Sequence, residues 1–181
     1  MMNTIIPGDH VLIQKSFGQI ERGNIVLFQY PTSSEFSHKS QYHLSRVVGL
    51  PGETIQMRGN TIYINGQPLE ELKVMATDTG DLDPLIEIST EGNGPYRVYY
   101  TEHPKHPEAR VQGDFGTNVP FQIPNDNFFV LGDNRDNSED SRFRGPVPRE
   151  LIWGEAAIIY YSKAETFDGG IRWGRIFKKV H

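Results

Sequence analysis

A short apolar run, Phe128-Phe129-Val130-Leu131, passes directly into Gly132-Asp133-Asn134-Arg135-Asp136-Asn137-Ser138-Glu139-Asp140-Ser141-Arg142. A continuous apolar run of this length, bounded by a turn signal, reads as a strand of the core. The segment after it is dense in short polar side chains, with three Asp, two Asn, two Arg and two Ser in eleven residues. Such side chains hydrogen-bond to nearby backbone and order a loop as Asx-type turns rather than leaving a solvated linker. Polarity of this density beside a core strand is either paired internally or serves a site. The loop alone leaves both readings open.

The rest of the chain reads as a turn-rich β protein. With 181 residues it has the length of one domain carrying a smaller insertion. Eighteen Gly, twelve Pro and 11% aromatics suit strands and tight turns better than helices. Runs rich in β-branched and aromatic residues predict strands at His10–Lys15, Gly23–Tyr30, Tyr42–Gly49, Arg97–Thr101, Phe121–Ile123, Asn127–Leu131 and within Leu151–Ser162. Residues 53–60 and 61–65 form an expected hairpin around Arg58-Gly59-Asn60, and Asn65-Gly66 is a second turn signal. Pro31–Ser40 reads as a Ser-rich loop, and the pattern weakens from Gln67 to Asp126.

Composition also excludes chemistry. There is no cysteine, hence no disulfide, thiol nucleophile or zinc–thiolate site. The net charge of −5 argues against nucleic acid as a partner. No apolar run approaches the roughly 18–20 residues that span a bilayer, and Met1 to Lys15 does not read as a signal peptide.

A second segment, Arg46-Val47-Val48-Gly49-Leu50-Pro51-Gly52-Glu53, ends a strand in a Gly-Pro-Gly turn. Together with the Gly132–Arg142 loop it resembles the bacterial type I signal peptidases (leader peptidases), membrane-anchored serine endopeptidases that remove signal peptides from exported proteins. Two further boxes are similar. Arg22-Gly23-Asn24-Ile25-Val26-Leu27-Phe28 looks like the family's Arg-Gly-Asp strand, with Asn24 in place of Asp. Thr4, then Gly8-Asp9-His10-Val11-Leu12-Ile13-Gln14-Lys15, looks like the strand that comes after the family's nucleophile. The resemblance implies a mainly β fold of antiparallel sheets of the signal peptidase type. Residues 1–66 and 126–181 would form the catalytic-type domain, and residues 67–125 a smaller inserted β region.

The resemblance also implies a Ser–Lys dyad, in which the Ser hydroxyl attacks the scissile carbonyl and a desolvated, neutral Lys takes its proton. The chain departs from that pattern at both positions. Aligned through Thr4 and Gly8-Asp9, the nucleophile falls one residue before Met1, and the Lys position is occupied by Ser45. A Ser hydroxyl is no base near neutral pH, so a chain with this sequence is expected to be inactive. By resemblance Ser138 is the hydroxyl that would bond the Lys amine. Asp140 and Arg142 would pair to hold the loop, and Arg46 and Asp133 would join the same network. His43 shares a strand face with Ser45, but a two-residue offset of about 6–7 Å is too far to inherit the role of base unaided.

The expected substrates are signal peptides of exported preproteins, cut after Ala-x-Ala and bound by strand addition to an exposed edge. No cofactor and no metal are implied; His103 and His106, three apart in a Pro-rich segment, lack a third ligand. The tail Ile171–Val180 mixes Trp173 and Phe177 with four cations, and reads equally as a membrane-interface segment and as a last strand. The family would place such a domain on the extracytoplasmic (periplasmic) face of the cytoplasmic membrane, in contact with the membrane surface, anchored by N-terminal helices absent from this chain. The alternative is a non-catalytic relative that binds export substrates or assists assembly; a self-cleaving repressor-type domain is the weaker third reading.

Overall fold

The computed structural model describes residues 1–15, 18–30, 41–77, 86–101, 113–117, 119–165 and 169–180. The Ser-rich segment Pro31–Ser40 and the residues His103 and His106 lie outside these. The strands are β1 (Asp9–Gln14), β2 (Ile25–Gln29), β3 (Tyr42–Gly49), β4 (Thr54–Arg58), β5 (Thr61–Ile64), β6 (Gln67–Pro68) and β7 (Leu72–Thr77). They continue with β8 (Ile86–Glu91), β9 (Arg97–Thr101), β10 (Phe121–Gln122), β11 (Asn127–Leu131), β12 (Val147–Pro148), β13 (Ile152–Ser162) and β14 (Lys178–Lys179). One helical turn, α1 (Ser141–Arg144), closes the polar loop.

The protein is mostly β, in three sheets whose pairings are antiparallel except one. The main sheet has the order β1-β13-β2-β3-β11-β12, with β14 also against β13. Its centre explains the unbroken apolar run of β11. Phe128 and Val130 face one cluster with Val26, Phe28, Val47 and Ile152. Phe129 and Leu131 face another with Val48, Ile55, Ile62 and Ile123. Because side chains alternate across a strand, a strand covered on both faces must be apolar at every position. The cover on the second face comes from the small sheet β10-β4-β5-β6. Asn65 and Gly66 close its β5–β6 hairpin with φ of 51° and 79°, the two positive angles such a turn requires.

The third sheet, β8-β7-β9, lies where the sequence pattern weakens, and β7 and β9 run parallel. Lys73 and Met75 alternate with its buried Val74 and Ala76. The tail forms the short strand β14, with Lys179 opposite Ile158 and Lys178 opposite Ile159. No helix among the described residues is long and apolar enough to cross a membrane.

Candidate active site

The polar loop leaves β11 at Gly132 and is built from its own side chains. Asp140 N-caps α1, accepting from the Arg142 backbone N–H at 3.2 Å, and reaches back to the Gly132 N–H at 3.0 Å. Its carboxylate also receives the Arg142 guanidinium, Nε at 2.8 Å and Nη2 at 2.9 Å. The same Nη2 donates to the Arg135 carbonyl at 2.7 Å. Ser141 Oγ accepts from the Val130 N–H at 3.0 Å, tying α1 to the core strand.

Arg46, on β3, is fully buried and bonds the Asp133 carboxylate in a two-point fork, Nε to Oδ1 at 2.8 Å and Nη2 to Oδ2 at 2.7 Å. Its third nitrogen donates to the Gly23 carbonyl at 2.8 Å. The guanidinium lies 4.2 Å from the centroid of the Tyr96 ring. A buried cation engaged at its edges and on its face is fixed in one geometry. Thr4 Oγ1 donates to Asp133 Oδ2 at 2.5 Å, which draws the N-terminal turn onto the loop. The Met1 amino group is buried there. Burial lowers its pKa, with the Arg46 charge in the same direction and Asp133 and Asp140 opposing.

Ser45 is buried beside Arg46. Ser45 pairs with Val26 of β2, and Leu131 pairs with Arg46 at the end of β11, where the polar loop begins. Residues two apart on a strand share one face, so Ser45 lies on the face of Val47. At Gly132 the place of a Cβ is taken by Ser138, whose Oγ lies 2.1 Å from where that carbon would sit. The backbone thus stacks Ser138 over Gly132. The Arg46–Asp133 and Asp140–Arg142 pairs and Ser138 thus order the loop that leaves β11, and Ser45 adjoins Arg46 on β3.

His43 is on the Ser45 face of β3, opposite Phe28, with its ring stacked on Phe28 and edge-on to Tyr30, both at 5.7 Å between centroids. Burial lowers its pKa from 6.5, as does the Arg144 charge, while Glu139 opposes them. Tyr30, pushed up to about 12 by burial, donates to the Gly145 carbonyl at 3.1 Å. No group of three potential metal ligands is found among the described residues.

The structure adds residues that sequence reading did not single out. Glu71, just before β7, forms a buried two-point ion pair with Arg135 of the loop. The backbone of β9 docks there too, with Tyr99 N–H to the Asp133 carbonyl at 2.7 Å and Arg135 N–H to the Tyr99 carbonyl at 2.9 Å. Thr101 N–H donates to Asp136 Oδ2 at 2.8 Å. At the other end, Arg175 holds Asp9, with Nη2 to Oδ2 at 2.5 Å, and the Thr4 carbonyl at 2.9 Å. Partners 64 and 166 residues apart leave no local signature.

Comparison with known sequences shows the family. The family model for signal peptidase, peptidase S26, matches residues 1–161. The chain is 33% identical over 167 residues to signal peptidase I of Leptolyngbya laminosa, covering 89% of this chain and 64% of that protein. It is 30% identical over 165 residues to signal peptidase I of Bacillus amyloliquefaciens, covering 89% of this chain and 69% of that protein. A crystal structure of a signal peptidase I from Enterococcus faecalis V583 aligns at 25% identity with a TM-score of 0.42, over 77% of this chain and 98% of that one. On the sequence match, the chain belongs to the bacterial type I signal peptidase family. It spans about two thirds of the length of the curated relatives it matches, 64% and 69% in these two.

Proposed function

We propose that this chain is a signal peptidase I-type serine endopeptidase domain that recognises the signal peptides of exported proteins, and that with Ser at position 45 it does not cleave them. The observation that carries the reading is Ser45, buried on β3 next to Arg46 of the Arg46–Asp133 fork. In a Ser–Lys peptidase a neutral amine at this position takes the proton of the Ser hydroxyl as that oxygen attacks the scissile carbonyl. The proton then passes to the leaving amine, and water hydrolyses the acyl-enzyme. Donors to the developing oxyanion lower the barrier. Position 45 in this protein offers a hydroxyl, which neither accepts a proton near neutral pH nor supplies the amine that Ser138 would orient.

The nucleophile is assigned, by resemblance to the family, to the position preceding Met1. Ser138 is assigned as the partner of the residue 45 side chain. Asp140–Arg142 and Arg46–Asp133 are assigned as the supports of the loop. Residues 67–125 are assigned as an inserted region that buttresses it through Glu71 and β9. Cleavage after Ala-x-Ala is assigned by resemblance to the family, with the extended peptide added to a sheet edge. The domain is assigned to the extracytoplasmic face of the cytoplasmic membrane, with the exposed Trp173 and Phe177 against the lipid surface.

Ser45 equally supports a naturally non-catalytic relative that only binds export substrates. The two readings share one test of this chain, titration with a signal peptide ending in Ala-x-Ala followed by mass spectrometry. Saturable binding without new fragments is expected. Fragments ending at Ala-x-Ala overturn the assignment of position 45, and absence of binding overturns signal-peptide recognition.

A further inference from the structure

The most exposed large apolar residues among those described are Phe177 at 76% and Trp173 at 74%, both in the C-terminal segment. Phe177 has a φ of 62°, a left-handed conformation that is uncommon for a bulky residue. Its N–H donates to the Ile159 carbonyl at 2.7 Å, which holds the strained turn in place. A ring kept in solvent at a conformational cost is an outlier that points to a role.

The same segment carries Arg172, Arg175, Lys178 and Lys179. The two arginines are engaged within the fold, Arg172 with the Pro7 carbonyl at 2.8 Å and Arg175 with Asp9. The two lysines pair with no carboxylate among the described residues. Both line a cavity of about 360 Å³ together with Asn3, Thr4, Tyr96 and Arg97, and no Asp or Glu among the described residues lines it. Arg97 shares its charge with Glu87, so the lysines are the uncompensated cations of this cleft among the described residues. They stand out in a chain whose net charge is −5.

We propose that this cleft binds the phosphate of an anionic lipid headgroup while Trp173 and Phe177 enter the interface beside it. The proposal deepens the membrane-surface part of the function proposed above and rests on it. Cations near a bilayer are drawn to anionic headgroups, and aromatic rings settle at headgroup depth. The exposed Phe177 directly precedes Lys178, and Trp173 lies in the same segment, which favours a lipid over a soluble acidic peptide that would leave the rings in water.

The test uses the whole chain and two probes. Sedimentation with phosphatidylcholine vesicles, with and without phosphatidylglycerol, reads lipid binding. Titration with soluble glycerol 3-phosphate, followed by backbone amide shifts, reads the cleft without a membrane. Tighter binding to the phosphatidylglycerol vesicles is expected, weakened about 30-fold in the K178A/K179A variant, since each basic residue at the surface adds roughly a factor of five. Glycerol 3-phosphate is expected to shift the amides of Asn3, Thr4 and Lys179. A W173A/F177A variant should lose vesicle binding and keep those shifts. Lys178 and Lys179 are exposed strand residues, and the glycerol 3-phosphate titration needs no variant, so misfolding cannot mask the result. Vesicle binding indifferent to phosphatidylglycerol and to the lysines overturns the headgroup site and leaves the membrane reading standing. No vesicle binding, with shifts from an acidic peptide instead, overturns both.

Discussion

Arg46 and Asp133 form a two-point ion pair with side-chain exposures of 1% and 0%, across 87 residues of sequence. It joins the Gly-Pro-Gly strand to the polar loop, and Thr4 adds a third bond to the same carboxylate. Removing one partner leaves the other charged, buried and unpaired. Asp133→Asn or Arg46→Ala is therefore expected to destabilise the protein by about 3–5 kcal/mol. Urea unfolding of each variant measures it, and a loss below about 1 kcal/mol contradicts the buried pair.

Gly132 is required for a different reason. A methyl group there meets Ser138 Oγ at 2.1 Å and Ser138 Cβ at 2.6 Å, so the loop must move to admit it. Gly132→Ala is expected to cost about 1–3 kcal/mol by overpacking. Its amide shifts should concentrate at Ser138 to Arg142. Uniform shifts across the sheet, or none, contradict the stacking of Ser138 on Gly132.

Asp9 gives the protein a defined response to acid. Burial pushes its carboxyl up. Hydrogen bonds from Arg175, the Ile6 N–H and Ser162, with the Arg175 charge, outweigh that and leave it below 3.8. The unfolded chain then takes up this proton at higher pH than the folded one. The stability linked to Asp9 is present above about pH 4 and is lost as pH falls through the lower folded pKa. Asp9→Asn is expected to be less stable by about 2 kcal/mol at neutral pH, with the gap closing as pH drops. A gap constant with pH contradicts the assignment.

His43 shifts the same way for a different reason. Its pKa in the folded protein lies below 6.5, chiefly because the aromatic stack desolvates the ring. The unfolded chain binds the extra proton first as pH falls, so this contribution is present above 6.5 and fades through the folded pKa. The imidazole resonances in an NMR titration are expected to give a midpoint below 6.5. A midpoint above it would require a charge partner for His43 beyond Glu139.

What the sequence disclosed and what it withheld divide by range. Asp140 and Arg142 stand two residues apart, and their pairing with the cap of α1 is local enough to be written in the loop itself. The β11 run disclosed a core strand, and the structure shows why it lacks polar alternation, since both of its faces are covered. The parallel β7–β9 pair was not legible, since parallel neighbours are joined by long connections and carry no turn signature. Glu71 and Arg135 could not be matched either, because any of the chain's 23 acidic residues could have met that arginine. Ser45 was readable as a departure from the family's Lys, but only the strand register shows it paired with Val26 of β2 and next to the Arg46 that meets Leu131.

The function proposed for this chain is that of a signal peptidase domain that does not cleave with Ser at position 45 and without the nucleophile. The direct measurement compares cleavage of an Ala-x-Ala signal-peptide substrate by two folded proteins. One is the unaltered chain; the other carries Ser45→Lys and an added Ser before Met1. Cleavage after Ala-x-Ala by the second protein alone is the predicted result. Cleavage by the unaltered chain, or none by the folded double change, contradicts the account.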